Sequence, residues 1–380
     1  MSPGWAYALM WVGFAAYLGT LSAAPRLGGR FVWVAILALV TGFALAPVLL
    51  SHDVYSYLDY ARLGIVHGLD PYVHPPAAAP LDPVYPQVEW TEATSAYGPL
   101  FTLLTYPLAW LPVAVAVAAL KAVAAGSVLA LALLVARLAP ARGVDPLRAA
   151  AFVALNPLVL VHVAGGAHND GLAMLAAMLG VAAILAVREA AAGAALVSAV
   201  AIKASTAVVA PFVLAAATRP DRSGPTGRKP LHISGNRPVG RLALGSCIAA
   251  VAIALAAWLA FGWDWLSAFG LAGENQDRTS HMSIPITLAR LAGLDADPVR
   301  ATAWTLYGVA VSALLIWTWR GGDWLRAAGW ATLGLLLATS WLLPWYLIWL
   351  LPLAALSRDT PLQLLTLALT AYQLGARIPL

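Results

Sequence analysis

Charged residues are scarce in this chain. Only 10% of its 380 residues are Asp, Glu, Lys or Arg, whereas about a quarter of an average soluble domain is charged. Hydrophobic residues make up 61% of the sequence, and the mean hydropathy is +0.80. This composition excludes an ordinary soluble globular domain and indicates an all-α polytopic membrane protein.

Cysteine is nearly missing, and nucleotide-binding motifs are missing altogether. Cys247 is the single cysteine and lies in an apolar run, so an intramolecular disulfide is impossible and the thiol gives no information on the cellular compartment. The sequence contains no P-loop and no dinucleotide-binding fingerprint, so we expect no nucleotide as a donor. The first apolar run, "GWAYALMWVGFAAYLGTLSAA", lacks the charged leading region of a secretory signal and predicts a retained transmembrane helix.

The net charge of +5 comes from short clusters of Lys and Arg between apolar segments, which follows the positive-inside rule and argues against nucleic acid as a partner. The segment 218–241 carries six Lys and Arg residues, so we expect it in the cytoplasm. By elimination, four segments rich in polar residues fall on the other side: 51–97, 164–170, 263–298 and 340–346. The protein is therefore expected in the plasma membrane, with its active site on the external, periplasmic side.

Several apolar stretches have the length of about 20 residues that crosses the hydrocarbon core. Four meet it cleanly: 4–23, 31–50, 242–262 and 299–319. Two others, 98–136 and 190–217, are too long for one span and short for two, and Pro, Gly or Lys interrupts each. They predict broken or re-entrant helices. We expect ten to twelve transmembrane helices in a single domain, residues 1–380, without a soluble domain or a repeat of fixed period.

The loop that opens with "SHDVYSYLDYARLGIVHGLDPYVHPP" (51–76) carries three Asp, three His and four Tyr. Helical spacing over 52–64 predicts two faces, with Asp53, Tyr57 and Tyr60 on one and Tyr55, Asp59 and Arg62 on the other. Asp59 would then have an ion-pair partner in its own helix and Asp53 none, which makes Asp53 a candidate general base. Alternatively, Ser51 caps the helix and Asp53 only complements the helix dipole, worth less than about 1 kcal/mol.

Two further polar motifs interrupt apolar stretches. "GGAHND" (165–170) places His168, Asn169 and Asp170 at membrane depth, where polar residues are costly and usually functional. The alternative is an ordinary helix start with Asn169 or Asp170 as N-cap. Lys203 interrupts "ALVSAVAIKASTAVVAPF", too far from the ends for a snorkelling lysine unless the helix breaks there. We expect Lys203 to face a cavity and pair with an anionic lipid phosphate.

The last two motifs lie further along the chain. In "GENQDRTSH" (273–281), the guanidinium of Arg278 offers a bidentate fork for phosphate, unless the segment is a solvated loop. In "SWLLPWYLIW" (340–349), Trp345 and Tyr346 either stack on a sugar or polyprenyl chain or belong to an interfacial aromatic belt. His67, His74 and Asp70 match no metal-ligand spacing, so we expect no metal there.

Five stretches together resemble the GT-C glycosyltransferases, in particular the bacterial enzymes that use polyprenyl-phosphate-mannose. The opening loop with "AYGPLFTLLTYP" resembles their first external loop, and the other four run in the same order: "NPLVLVHVAGGAHNDGL", "AIKASTAVVAPF", "ENQDRTSHMSIP" and "SWLLPWYLIWLLPL". They extend from residue 52 to about residue 353. The resemblance implies a GT-C-like membrane fold with a long first external loop.

The resemblance also implies a function. An inverting transferase would move mannose from polyprenyl-phosphate-mannose to a glycolipid or glycan acceptor, with Asp53 as general base. Lys203, His168 and Arg278 would bind the donor phosphate. The residues expected to contact substrate are Tyr57, Tyr60, Asn169, Asp170, Trp345 and Tyr346. We expect no cofactor, although a divalent metal on Asp53 and His168 stays open.

Two alternatives stay open at this point. A GT-C enzyme that transfers another polyprenyl-phosphate-linked sugar, such as arabinofuranose or glucose, would carry the same motifs, because a few pocket contacts decide the sugar. A lipid or sugar transporter, or a flippase, would also combine broken helices with polar residues at depth. It predicts inverted repeats, and the sequence shows none.

Overall fold

The structure, a computed structural model, describes residues 3–218, 237–274 and 277–376. Within these ranges every regular element is a helix, and the α-helices in chain order are α1 (Pro3–Leu27), α2 (Gly29–Leu45), α3 (Asp53–Ile65), α4 (Pro99–Thr105), α5 (Val113–Leu138), α6 (Pro146–Ala154), α7 (Asp170–Leu185), α8 (Glu189–Ile202), α9 (Ala210–Thr218), α10 (Arg237–Phe261), α11 (Ser267–Glu274), α12 (Ile284–Ala292), α13 (Ala296–Trp319), α14 (Trp324–Ala338), α15 (Leu347–Leu356) and α16 (Thr360–Gly375). The prediction of an all-α polytopic membrane protein is confirmed.

The described residues contain four helices that are long and apolar enough to cross a membrane: Ala8–Leu27, Val113–Leu138, Pro238–Phe261 and Ala296–Trp319. Three of them overlap predicted spans. The predicted span 31–50 is too long, because α2 already ends at Leu45. Ala46 precedes Pro47 and is extended, as sterics require of a residue before proline. Six shorter apolar helices accompany the four long ones, and the number of ten to twelve transmembrane helices stays a prediction.

Both stretches predicted to be broken are broken. The first divides into the short helix α4, a 3₁₀ segment at Tyr106–Trp110 and the long helix α5. The second divides at Lys203, whose backbone is extended with φ −154° and ψ 118°. A 3₁₀ segment, Ala204–Val209, follows before α9 begins. Lys203 therefore lies at the end of a helix, although its position in the sequence is central to the apolar stretch.

The segment 218–241, predicted to be a cytoplasmic loop, falls mostly outside the described residues, since α10 begins at Arg237. Its side of the membrane stays a prediction. The large buried cluster of the protein is formed mainly by α5, α6, α7, α14 and α15. A second cluster packs α3 and the loop after it against α4 and α5, so the opening loop has an apolar core of its own.

Helices α8 and α10 approach each other closely at two glycines. A Cβ added to Gly245 would lie 1.9 Å from the carbonyl oxygen of Ala190, and one added to Gly193 would lie 2.2 Å from that of Leu242. Small residues allow this approach, which matters in a bilayer because lipid is as apolar as the helix surface and packing drives association. Since Lys203 directly follows the last residue of α8, this contact also helps to position that lysine.

Gly245→Ala should lower the free energy of unfolding by about 1–3 kcal/mol, the usual cost of overpacking. Gly126→Ala is the matched control, because Gly126 also lies inside a long helix and nothing lies within 4 Å of an added Cβ. The control should be neutral, or more stable by up to about 1 kcal/mol from helix propensity. Denaturant titration in detergent, followed by tryptophan fluorescence, checks this. Equal stability of the two variants would contradict the packing assignment.

Candidate active site

Asp53 is the first residue of α3, and its carboxylate contacts two distant segments. The indole Nε1 of Trp90 donates to Oδ1 at 3.2 Å, and Nδ1 of His168 lies 3.5 Å from Oδ2. No side chain caps α3, although the Asp53 N–H donates to Ser51 Oγ at 3.4 Å. Asp53 therefore does lie in the first turn of α3, as the alternative has it, with His52 and not Ser51 at the N-cap position, and its carboxylate has tertiary partners besides.

The surroundings of Asp53 change its acidity. Burial raises the pKa of Asp53 to about 6, while the positive charge of Lys203 and the hydrogen bond from Trp90 oppose this rise. Only 9% of the residue is exposed. A carboxylate with a pKa of this size is still mostly ionised at neutral pH and is a stronger base than an ordinary aspartate.

The predicted ion pair between Asp59 and Arg62 is wrong. Nε of Arg62 donates to Asp82 at 2.9 and 3.0 Å, and Nη1 donates to the carbonyl oxygen of Ala109 at 2.7 Å. Asp82 lies in the loop after α3 and also binds His67 Nε2 at 2.7 Å, so the loop competes successfully for the arginine. Burial, together with the nearby Asp82, raises the pKa of Asp59 to about 7.

Asp170 begins α7 and makes two strong contacts. Its Oδ2 accepts a hydrogen bond from Lys203 Nζ at 2.7 Å, and its Oδ1 accepts one from Trp349 Nε1 at 2.8 Å. The side chain of Asp170 is fully buried, and that of Lys203 is 18% exposed. The structure thus gives Lys203 a partner within the protein, which the sequence did not predict, and binding of a lipid phosphate by Lys203 stays a prediction.

The segment before α7 has an unusual backbone. A π-helix, Val159–Ala164, leads into it, and Ala167 has a φ of 59° in the left-handed region. Such strained or irregular backbone is common at functional sites. Asn169 occupies the N-cap position of α7, as that alternative has it, but its side chain makes no capping hydrogen bond. Its amide oxygen and nitrogen are buried without a hydrogen-bond partner among the described residues.

Aromatic rings from the 340–349 stretch complete the site. Trp345 stacks on His168 with ring centroids 3.8 Å apart, and Tyr346 stacks on Trp349 at 4.1 Å. Lys203 Nζ lies 5.3 Å from the centroid of the Tyr346 ring. Both predicted aromatic residues therefore lie against the Asp53 and Asp170 centre. Their contact with a substrate stays a prediction.

Tyr57 and Tyr60 have structural contacts. The Tyr57 ring is buried and packs edge-on against Tyr97 and Phe101, with centroids 4.7 and 4.9 Å away. The Tyr60 hydroxyl donates to the carbonyl oxygen of Ala93 at 2.8 Å. These contacts hold the opening loop on α3, and a substrate role for either tyrosine stays a prediction.

Arg278 was expected beside Lys203 at the donor phosphate, but the structure places it against two tryptophan rings. Its guanidinium carbon is 5.0 Å from the centroid of the Trp90 ring and 6.0 Å from that of Trp341. The structure thus brings Arg278 against the segment of the opening loop that carries Trp90. Within the described part of the chain, its ring contacts do not extend to the Lys203–Asp170 pair. Binding of the donor phosphate by Arg278 stays a prediction.

Sequence reasoning missed two residues of this site. Trp90 donates to Asp53 from 37 positions along the chain, and no local motif marks it. Trp349 stood in a motif that was noted for its aromatic residues, but its bond to Asp170 depends on the packing of α15 against α7. Among the described residues, no group of three His, Cys, Asp or Glu side chains could hold a metal ion. Asp53 and His168 could supply two ligands at most.

Lys203→Met should lower the free energy of unfolding by about 3–5 kcal/mol, because it leaves the buried Asp170 carboxylate without its counter-charge. The double variant Lys203→Met/Asp170→Asn removes both charges and should recover a large part of this loss. Denaturant titration of the wild type and the variants in detergent checks the expectation. A double variant that loses as much as the sum of its single variants would show that the two charges are not coupled.

Comparison with known proteins gives the family. Residues 3–219 match the family model MptA/B, described as alpha-(1->6)-mannopyranosyltransferase, N-terminal domain. Asp53, His168, Asp170 and Lys203 all lie inside this match. None of the solved structures matches the chain.

Curated relatives of the chain are also named alpha-(1->6)-mannopyranosyltransferases. Alpha-(1->6)-mannopyranosyltransferase A of Mycobacterium tuberculosis is 32% identical over 349 residues, covering 82% of this chain and 63% of the relative. Alpha-(1->6)-mannopyranosyltransferase A of Corynebacterium glutamicum is 28% identical over 250 residues, covering 60% of this chain and 49% of that relative. The chain thus spans between about half and two thirds of the length of these relatives. Because the family model matches more than half of the chain, the chain belongs to the MptA/B family of alpha-(1->6)-mannopyranosyltransferases.

Proposed function

We propose that this chain transfers mannose from polyprenyl-phosphate-mannose to a glycan or glycolipid acceptor at the external face of the plasma membrane. The names of its relatives support mannose as the sugar and an α-(1→6) linkage. The observation that carries the proposal is a buried carboxylate, Asp53, that lies beside an imidazole and close to an ammonium–carboxylate pair. This arrangement combines a base with hydrogen-bond donors for a leaving phosphate.

Asp53 is the proposed general base. The reaction requires removal of a proton from an acceptor hydroxyl as its oxygen attacks the anomeric carbon of the donor sugar. A carboxylate that burial has made more basic is suited to this step. Direct displacement with one base inverts the anomeric centre, so a β-linked donor gives an α-linked product.

Lys203 and His168 are the proposed ligands of the donor phosphate. An ammonium group has three N–H donors, and Asp170 accepts from one of them, which leaves two for phosphate oxygens. The contact with Asp170 also fixes the direction of the lysine side chain. His168 is held flat against Trp345, next to Asp53, so its ring can reach the same reacting centre. Preorganised donors stabilise the negative charge that develops on a departing phosphate.

The remaining residues suit the sugar of the donor. Asn169 is 3% exposed, and its buried amide can donate to one hydroxyl and accept from another. Trp345 and Tyr346 line the same region and suit the apolar face of a sugar ring. The break between α8 and α9 lies beside Lys203 and suits the entry of a polyprenyl chain, because irregular backbone at membrane depth lines cavities.

Asp53→Asn should lower kcat for mannose transfer by about 10²-fold or more, since general bases contribute about 10²–10⁴-fold. Radiolabelled polyprenyl-phosphate-mannose and purified protein in lipid serve for the measurement, and α-mannosidase digestion of the product tests the inverted linkage. Asp297→Asn is the matched control, because Asp297 is exposed and far along the chain in α13. Normal turnover in Asp53→Asn, or a β-linked product, would reject the mechanism.

The pH dependence gives a second test of Asp53. Its protonated form cannot accept a proton, so kcat/KM, which reports the pKa values of the free enzyme, should fall about tenfold per pH unit below about pH 6, where burial places the pKa of Asp53. Asp59→Asn is the matched control, because this buried aspartate on the same helix has a pKa raised to about 7. The control should keep the acidic limb near pH 6. If the fall in activity at acidic pH disappeared in Asp59→Asn, the group that titrates would be Asp59, and the assignment to Asp53 would be wrong.

A further inference from the structure

A cavity of about 360 Å³ lies against the segment of the opening loop that carries Trp90. Residues 89–94 form one wall, and Leu271 and Arg278 form the other. Its volume falls within the range of about 300–1,000 Å³ that is usual for small-molecule sites. The cavity is separate from the Lys203–Asp170 pair, and none of the predicted substrate residues apart from Arg278 lines it.

One wall of this cavity is bonded directly to the candidate base. Trp90 lines the cavity, and its indole Nε1 donates to Asp53 Oδ1 at 3.2 Å. The same wall is attached to α3 a second time, because the Tyr60 hydroxyl donates to the carbonyl oxygen of Ala93. Two contacts on one helix thus fix the cavity at a set distance from Asp53. Asp53 itself does not line the cavity, and Trp90 is the side chain that lies between a molecule in the cavity and the Asp53 carboxylate.

The chemistry of the lining suits a polyhydroxylated, uncharged molecule. Glu89 and Glu92 offer carboxylate oxygens, which accept hydrogen bonds from hydroxyl groups, and Arg278 donates to ring or hydroxyl oxygens. Arg278 lies over one face of the Trp90 ring, and the exposed remainder of that ring provides an apolar surface for a sugar. Two carboxylates against one guanidinium give a net negative lining, which disfavours the phosphate of a lipid donor.

We propose that this cavity is the binding subsite for an uncharged acceptor sugar, bound by Glu89, Glu92, Arg278 and Trp90 with one hydroxyl directed past Trp90 to Asp53. The proposal rests on the transfer reaction proposed above and deepens it, since it names the acceptor side of the same centre. The acceptor then approaches Asp53 from the Trp90 side, at Oδ1, while the donor phosphate binds at Lys203 and at His168, which faces Oδ2. Arg278 is accordingly an acceptor-binding residue and not part of the phosphate site.

Arg278→Gln and Glu92→Gln test this assignment. Both side chains are exposed, so the substitutions leave the fold intact. Initial rates are measured with α-(1→6)-linked mannotriose as acceptor and polyprenyl-phosphate-mannose as donor, each varied in turn. Each variant should raise KM for mannotriose by about tenfold or more, as expected for the loss of a charged hydrogen-bond partner. KM for the donor should stay within about twofold of the wild type. A raised donor KM in Arg278→Gln, or an unchanged mannotriose KM in both variants, would overturn the proposal.

Asp264→Asn serves as the control, because it removes an exposed carboxylate from another part of the predicted external side and should change neither KM. Saturation-transfer NMR with mannotriose and no donor separates this proposal from the transfer reaction. Mannotriose binding that is lost in Glu92→Gln supports the subsite even if the wild type transfers no mannose. Transfer by a wild type whose mannotriose signal persists unchanged in Glu92→Gln would leave the reaction standing and reject the subsite.

Discussion

The ion pair between Lys203 and Asp170 is the interaction on which the rest of the site depends. It joins the end of α8 to the start of α7 at 2.7 Å, and Trp349 adds α15 through the second oxygen of the same carboxylate. Removing two charges from water is costly, and the side chain of Asp170 is fully buried, so no solvent can take the place of Lys203 beside it. Each charge is therefore tolerated only while the other is present, so the three helices must meet in this one arrangement.

The break after α8 follows from this requirement. A lysine in the middle of a continuous apolar helix would face lipid or a neighbouring helix without a partner. An extended residue at Lys203 ends the helix, and the following 3₁₀ segment restarts the chain in another direction. The glycine contacts between α8 and α10 hold the helix that presents this lysine. The packing of α8 against α10 thus helps to position the ammonium group of Lys203.

A second group of contacts fixes the opposite side of the centre. Asp53 and Tyr60 both lie on α3, and both contact the 89–94 segment, which returns over the helix after more than 20 residues of loop. Arg62 and Asp82 add an ion pair between the same helix and the same loop. The opening loop is consequently a folded unit with its own core, and Asp53 lies where this unit meets α7 and the aromatic rings of the 340–349 stretch.

The sequence by itself determined the fold class and most of the residues that meet at the centre. Charged residues are scarce and apolar runs are long, which predicts helices because a helix satisfies every backbone hydrogen bond within lipid. Polar motifs inside such runs indicate functional positions. Only the tertiary structure decided which side chains contact each other. Arg62 binds Asp82 instead of the neighbouring Asp59, and Lys203 binds Asp170, because loops and helices distant in sequence supply closer partners. Trp90 reaches Asp53 through the return of the loop, which helical spacing along one segment cannot show.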